Sequence, residues 1–170
     1  MTTKLSRPHA LLHDLAMLSR RTPSRSGFLE GAATLLAHGL DAPVLRIDLL
    51  NRGRKSSASS CAMANRSAWG DDLRDLGVEL AAAGEVRAIA DVQADEHLAG
   101  RVPDECTSFI VVPLREPRTN IPLGGLLVAD ERPRPELVLE AGEEGVLPLL
   151  SHNLALELHH RATEERFELA

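Results

Sequence analysis

Aromatic side chains are almost missing: one Trp, three Phe and no Tyr in 170 residues. That removes the stacking platforms on which single-stranded nucleic acid is held and the aromatic belts of membrane proteins. Cationic excess is missing too. Nineteen Lys and Arg stand against 25 Asp and Glu, a net charge of -6, which argues against phosphate-neutralising contacts with nucleic acid. No stretch reaches the roughly 18 uninterrupted apolar residues of a membrane span. The opening MTTKLSRPHALLHDLAMLSRR has Asp14 in its apolar part and no small-residue cleavage site, so the expectation is a cytoplasmic chain without a secretory leader. Cysteine is scarce: Cys61 and Cys106 form neither CxxC nor a zinc spacing, and in a cytoplasmic protein both are expected to be reduced. No repeat occurs, and only the short KSSASS run is of low complexity.

What is present is 44% apolar and 26% charged residues, the composition of one ordinary domain. Ser6 and Pro8 open a helix over 8–20, with Leu11, Leu15 and Leu18 on one face. Ser26 is the expected N-cap of a second helix ending at Gly39. Val44–Leu49 alternates as a strand with one covered face, Asn51-Arg52-Gly53-Arg54 is a hairpin turn, and Ser57–Met63 is its return strand. Trp69-Gly70-Asp71-Asp72 opens a helix whose apolar face is Leu73, Leu76 and Leu80, closed by Gly84. A short strand at 86–90 precedes a polar, irregular stretch, 93–105. Ser108–Leu114 and Leu123–Asp130 carry the strongest strand signals and are expected to pair centrally. Pro133 and Pro135 break the chain. One long helix then spans 136–168, kinked or restarted at Pro148. Hairpin-joined strands with helices beside them make the class α+β.

The segment Ser108-Phe-Ile-Val-Val-Pro-Leu114, a variable turn, and Leu123-Gly-Gly-Leu-Leu-Val-Ala-Asp130 resembles the signature hairpin of GAF domains. Phe28–Ala33 resembles their first helix, Val44–Leu50 their first strand, and Ile89-Ala90-Asp91-Val92 the short strand before the ligand-side loop. The resemblance covers roughly 25–160. It implies one domain over 1–170, a PAS-related twisted antiparallel sheet of about six strands, and terminal helices (8–20 and 136–168) that serve dimerisation and signalling. It implies a sensory or regulatory module that binds a small ligand between the sheet and the 91–108 segment, with Trp69, Asp91, His97, Cys106 and Ser108 as its binding residues and no catalytic or metal-ligating residue. The sequence names no cofactor. A homodimer is expected through Leu11, Leu15 and Leu18 and through Leu150, Leu154 and Leu158, and a signalling protein is the further partner. The alternatives are a ligand-free module that dimerises or docks through those helices, and an enzyme similar to the free methionine-(R)-sulfoxide reductases.

Those reductases share the Ile-Val-Val-Pro-Leu segment but carry a Cys where this chain has Val102, and a Glu where it has Phe109. Cys106 follows Asp104 and Glu105, which disfavour a thiolate. The aromatic-rich surroundings of bilin-binding relatives and the Asn-Lys…Phe…Asp-Glu pattern of cyclic-nucleotide binders are not found. His9 and His13 share a helix face without a third ligand, and His152 and His159 share another, which suits packing between helices. Gly124-Gly125 lies within a strand and lacks the Lys-Ser/Thr of a phosphate loop, so close backbone packing is expected.

Overall fold

Two apolar strands organise the molecule. The β-branched run of β4 (Ser108–Arg115) pairs antiparallel with β5 (Pro122–Asp130), Ile110 opposite Val128 and Val112 opposite Leu126. In this computed structural model, which describes residues 8–51 and 54–169 and the side chains of 10–50 and 61–161, the element order is α1 (Pro8–Arg21), α2 (Arg25–Gly39), β1 (Val44–Asn51), β2 (Arg54–Asn65), a 3-10 turn (Ala68–Leu73), α3 (Arg74–Ala83), β3 (Arg87–Ile89), a 3-10 turn (Val92–Ala94), β4, β5, α4 (Pro135–Glu140) and α5 (Val146–Leu169). The five strands form one antiparallel sheet in the order β2-β1-β5-β4-β3, with β5 at its centre. The sheet has five strands among the described residues rather than the six expected. The hairpin turn expected at 51–54 has its middle, 52–53, outside the described residues, as is Ser6.

Strand side chains alternate between faces, so the sheet divides two cores. One face carries Leu45, Ile47, Leu49, Ile110, Val112, Leu114, Leu126 and Val128 against Leu11, Leu15, Phe28, Leu36, Leu147, Leu150, Leu154 and Leu158 of α1, α2 and α5. The other carries Val44, Phe109, Val111, Leu127 and Ala129 against Trp69, Leu73, Leu76 and Ala81, and against Val92, Leu98, Val102 and Cys106 of the segment between β3 and β4. Both faces of β1 are therefore covered, where one was expected.

Several expectations shift. The second helix is capped by Ser24, not Ser26: Ser24 is extended after Pro23, and its hydroxyl accepts from Gly27 N at 3.1 Å. The Trp69 segment is a 3-10 turn, and the α-helix begins only at Arg74. Gly84, at φ 74, closes α3 in the left-handed conformation that glycine adopts without strain. The long helix 136–168 is two helices. Gly142 and Gly145 interrupt it, and at Gly145 a Cβ would lie 2.0 Å from the Glu140 carbonyl oxygen. Pro148 then falls in the first turn of α5, where its missing N–H costs nothing. The expected dimer seam is also corrected. Leu11, Leu15, Leu150, Leu154 and Leu158 are at most 8% exposed, and Leu18 packs against the same core. A periodic apolar row on a terminal helix fits a domain's own sheet as well as a second copy. The outward row of α5 instead shows Leu149 and Leu156, with His152 and Asn153 between them.

Candidate functional site

The α3 side of the sheet is where this fold places polar groups among apolar ones. Arg46 and Asp48 sit two residues apart on β1 and so share a face. Their partners across the β1–β2 pairing are Met63 and Cys61, and Val44 lies opposite Asn65. Arg46 and Asp48 are each only 2% exposed. Arg46 Nε donates to Asp48 Oδ2 at 3.3 Å and Nη2 to Asp48 Oδ1 at 3.2 Å. The outer fork of the guanidinium meets sulfur: Nη2 lies 3.1 Å from Cys61 Sγ and Nη1 lies 3.5 Å from Met63 Sδ. Nη1 is also 3.5 Å from Asp71 Oδ1 of the 68–73 turn. Asn65 Nδ2 donates to the same oxygen at 3.1 Å and to the same sulfur at 3.4 Å. Burial would strip the charge from Arg46, but the hydrogen bonds and charge of Asp48 outweigh it and hold the guanidinium more firmly protonated. An unpaired buried cation is costly, and Asp48 is what makes this one tolerable.

The five residues singled out from the sequence divide. Trp69 and Cys106 come together in the apolar cluster beneath the 92–107 segment. Trp69 Nε1 donates to Glu131 Oε1 at 2.8 Å, tying the 68–73 turn to the end of β5. Asp91 is exposed and caps the 92–94 turn by accepting from Gln93 N at 3.1 Å. His97 is exposed, with its backbone N–H held by Asp95 at 2.9 Å. Ser108 is 1% exposed. Its hydroxyl lies 2.7 Å from Arg132 O and 3.1 Å from Ala90 O and accepts from Arg134 N at 2.7 Å, so it fastens three chain segments at the start of β4. Asp91 and His97 thus point to water while the other three are interior. Sequence reasoning passed over Arg46, Asp48, Asn65 and Asp71. The available signal was an opposite-charge pair two apart on a strand, which shares one face and can bury as a unit.

The 92–107 segment is an apolar cover with a closed base. Val92 N donates to Thr107 O at 2.7 Å, and Thr107 N to Asp130 O at 2.9 Å. Arg101 pairs with Glu79 of α3 at its far end. Among the described side chains, no three His, Cys, Asp or Glu residues gather as metal ligands would, and the His9 side chain lies outside them.

Neither cysteine is set up as a thiolate. Burial, with the Asp130 charge adding to it, pushes Cys106 up to about 12. Cys61 is exposed on one side, but burial of the other and the adjacent Asp48 push it up to about 12 as well, against the opposing pull of Arg46 and Arg74. Nucleophilic attack requires the thiolate. The folded chain is therefore expected to react with a disulfide reagent slowly at one thiol, Cys61, with a rate that climbs with pH up to about 12. Cys106 should react only after denaturant is added. A time course of thiol titration with and without denaturant measures this, and two fast thiols in the folded chain would contradict it.

No protein-family model matches the sequence, and no curated protein matches it. Solved structures do match in shape. A free methionine-R-sulfoxide reductase from Neisseria meningitidis, in complex with its substrate, superposes with a TM-score of 0.70 at 15% identity, covering 96% of this chain and 95% of that one. The GAF domain of a phosphoenolpyruvate-protein phosphotransferase from Acinetobacter gives 0.68 at 17% identity, covering 98% and 99%. Its counterpart from Coxiella burnetii gives 0.67 at 14%, covering 96% and 99%. These likenesses run over nearly the whole length of each chain: the chain has the GAF-domain fold.

Proposed function

We propose that this chain is a sensory or regulatory module that takes a small ligand on the α3 side of its sheet, under the 91–108 segment, and passes the change to its terminal helices. The observation that carries the reading is the buried Arg46–Asp48 pair. It interrupts an otherwise apolar layer and opens toward solvent through Cys61, Met63 and Asp71, of which Met63 is 50% exposed. An apolar wall with a few convergent polar groups is the usual make-up of a small-molecule site. Trp69 and Cys106 would line the apolar end and Ser108 would anchor the strand beneath, while Asp91 and His97, which face water in this structure, would have to turn inward from the cover to reach a ligand. Among solved structures of this fold, a cyanobacterial phytochrome GAF domain holds phycoerythrobilin. A homodimer through the terminal helices would use the outward row of Leu149 and Leu156, since the inward rows are occupied. Among the described residues no helix is long and apolar enough to cross a membrane.

The second reading is a ligand-free interaction module. Its support is the packing of Val92, Leu98, Val102 and Cys106 directly in the cluster with Phe109, Val111 and Leu127. A native mass spectrum of the purified protein, set against its denatured mass, separates the two. The expected result is an excess mass that disappears on denaturation. A chain at its bare mass that stays empty against a metabolite panel would put the interaction module in its place.

A further inference from the structure

We infer that Arg46 and Asn65 form a carboxylate-binding subsite on this face, and that Asp71 is a resident side chain standing in for the ligand's carboxylate. The inference rests on the reading of the α3 side as the ligand face. A guanidinium offers five N–H groups in a planar fork. The inner part of the Arg46 fork is spent on Asp48. The outer part is turned to Cys61 Sγ and Met63 Sδ, and sulfur is a weak acceptor. The only hard anion on that outer side among the described residues is Asp71, and its hold is loose: one oxygen, 3.5 Å from Arg46 Nη1 and 3.1 Å from Asn65 Nδ2.

Two donors from different strands thus converge on one carboxylate oxygen. The donors are built in, with Arg46 2% exposed and locked to Asp48, while the acceptor is 68% exposed and free to leave. A free carboxylate can set two oxygens on the fork where Asp71 sets one, and two-oxygen contacts are the stronger and more directional kind. The exchange keeps the charge at the guanidinium constant, because Asp71 swings into water as the ligand arrives. Met63 is half exposed and unbranched, so it can move aside. Released, Asp71 frees the 68–73 turn, whose Trp69 is bonded to Glu131 and whose end continues directly into α3. Ligand exchange at Arg46 thereby couples to the helix that covers the sheet.

Trp69 is the one tryptophan of the chain and lies two residues from Asp71, so its fluorescence reports on the turn. The full chain and its Asp71→Ala variant would be titrated with acetate and propionate, and with acetamide and propionamide as uncharged counterparts, at matched ionic strength. Asp71 is exposed, so the variant is expected to fold. Removing the stand-in should tighten propionate by about tenfold, the size of one charge-assisted hydrogen bond. Adding Asn65→Ala should reverse that gain, and the amides should give no saturable change. Equal propionate affinity in both proteins overturns the inference. Amides binding as well as carboxylates overturns it too, while leaving a ligand on that face. Absence of all binding to Asp71→Ala, when the parent chain still carries an excess native mass, overturns it and places that ligand elsewhere.

Discussion

Asp130→Asn is expected to destabilise the fold by about 3 kcal/mol, roughly 10 °C in melting temperature. Asp130 ends β5 at 2% exposure and holds two guanidiniums. Arg132 Nη2 reaches Oδ2 at 2.8 Å, and Arg134 Nη1 reaches the same oxygen at 2.7 Å. Arg134 is itself buried, and it also donates to Leu40 O and Asp41 O, both at 2.6 Å. One carboxylate therefore fixes the arginine that clamps the α2–β1 turn onto the end of the sheet. The amide keeps the shape but removes the charge, leaving the buried Arg134 without its buried counter-ion and with only the more exposed Glu136 beside it. Arg132, 56% exposed, loses less because water replaces its partner. Burial alone would raise the Asp130 carboxyl, but the hydrogen bonds from Arg132 and Arg134 outweigh it and hold it below the ordinary carboxylate range. A carboxyl lowered in the folded state contributes stability above its unfolded pKa of about 3.8, and that contribution is lost as pH falls through the folded value. Melting curves of both proteins from neutral pH to about pH 3 should start well apart and converge on acidification. Curves that coincide at neutral pH, or that stay parallel into acid, would contradict this role.

The sequence was readable wherever apolar spacing decides the structure. Ile110, Val111 and Val112 mark β4, the Leu-rich run to Ala129 marks β5, and their pairing follows from the short turn between them. α2 was legible from Leu29, Ala32, Leu36 and the closing Gly39. Spacing is silent about what an element packs against, and there the reading diverged. Leu150, Leu154 and Leu158 look the same whether they face a second copy or the domain's own sheet; the structure turns them inward. Arg46 and Asp48 read as the solvent side of a half-covered strand, because alternation cannot distinguish water from an ion pair under a helix. The break at Gly142 and Gly145 was masked by helix formers on both sides. At the candidate site, Trp69 and Cys106 were placed from the GAF resemblance and fall in one cluster. Asn65 and Asp71 could not be found that way, since their juxtaposition depends on the course of the 68–73 turn across the end of β2.

Gly124→Ala is expected to cost about 3 kcal/mol, at the upper end of what overpacking does. The residue lies on β5 opposite Leu49, beside the irregularity in the β1–β2 pairing that follows Leu49. A Cβ built at Gly124 would sit 2.2 Å from the Asp48 carbonyl oxygen and 3.1 Å from Leu49 Cα. Both obstacles are backbone, so no side chain can rotate to make room. The only relief is to push β1 away from β5, which breaks the central pairing and shifts the two residues that carry the buried ion pair, Arg46 and Asp48. The neighbouring Gly125 differs in kind: its Cβ would meet the methyl of Ala81 on α3 at 2.6 Å, so there the helix rather than the strand must move. Gly100 is the internal control. Nothing lies within 4 Å of its would-be Cβ, and Gly100→Ala should change stability by no more than about 0.5 kcal/mol. Urea unfolding of the three proteins should therefore rank Gly124→Ala far below the parent and Gly100→Ala level with it. If Gly124→Ala unfolds with the parent, β1 and β5 are not as close as the structure has them. The strand that carries Arg46 and Asp48 would then not be held against a rigid neighbour.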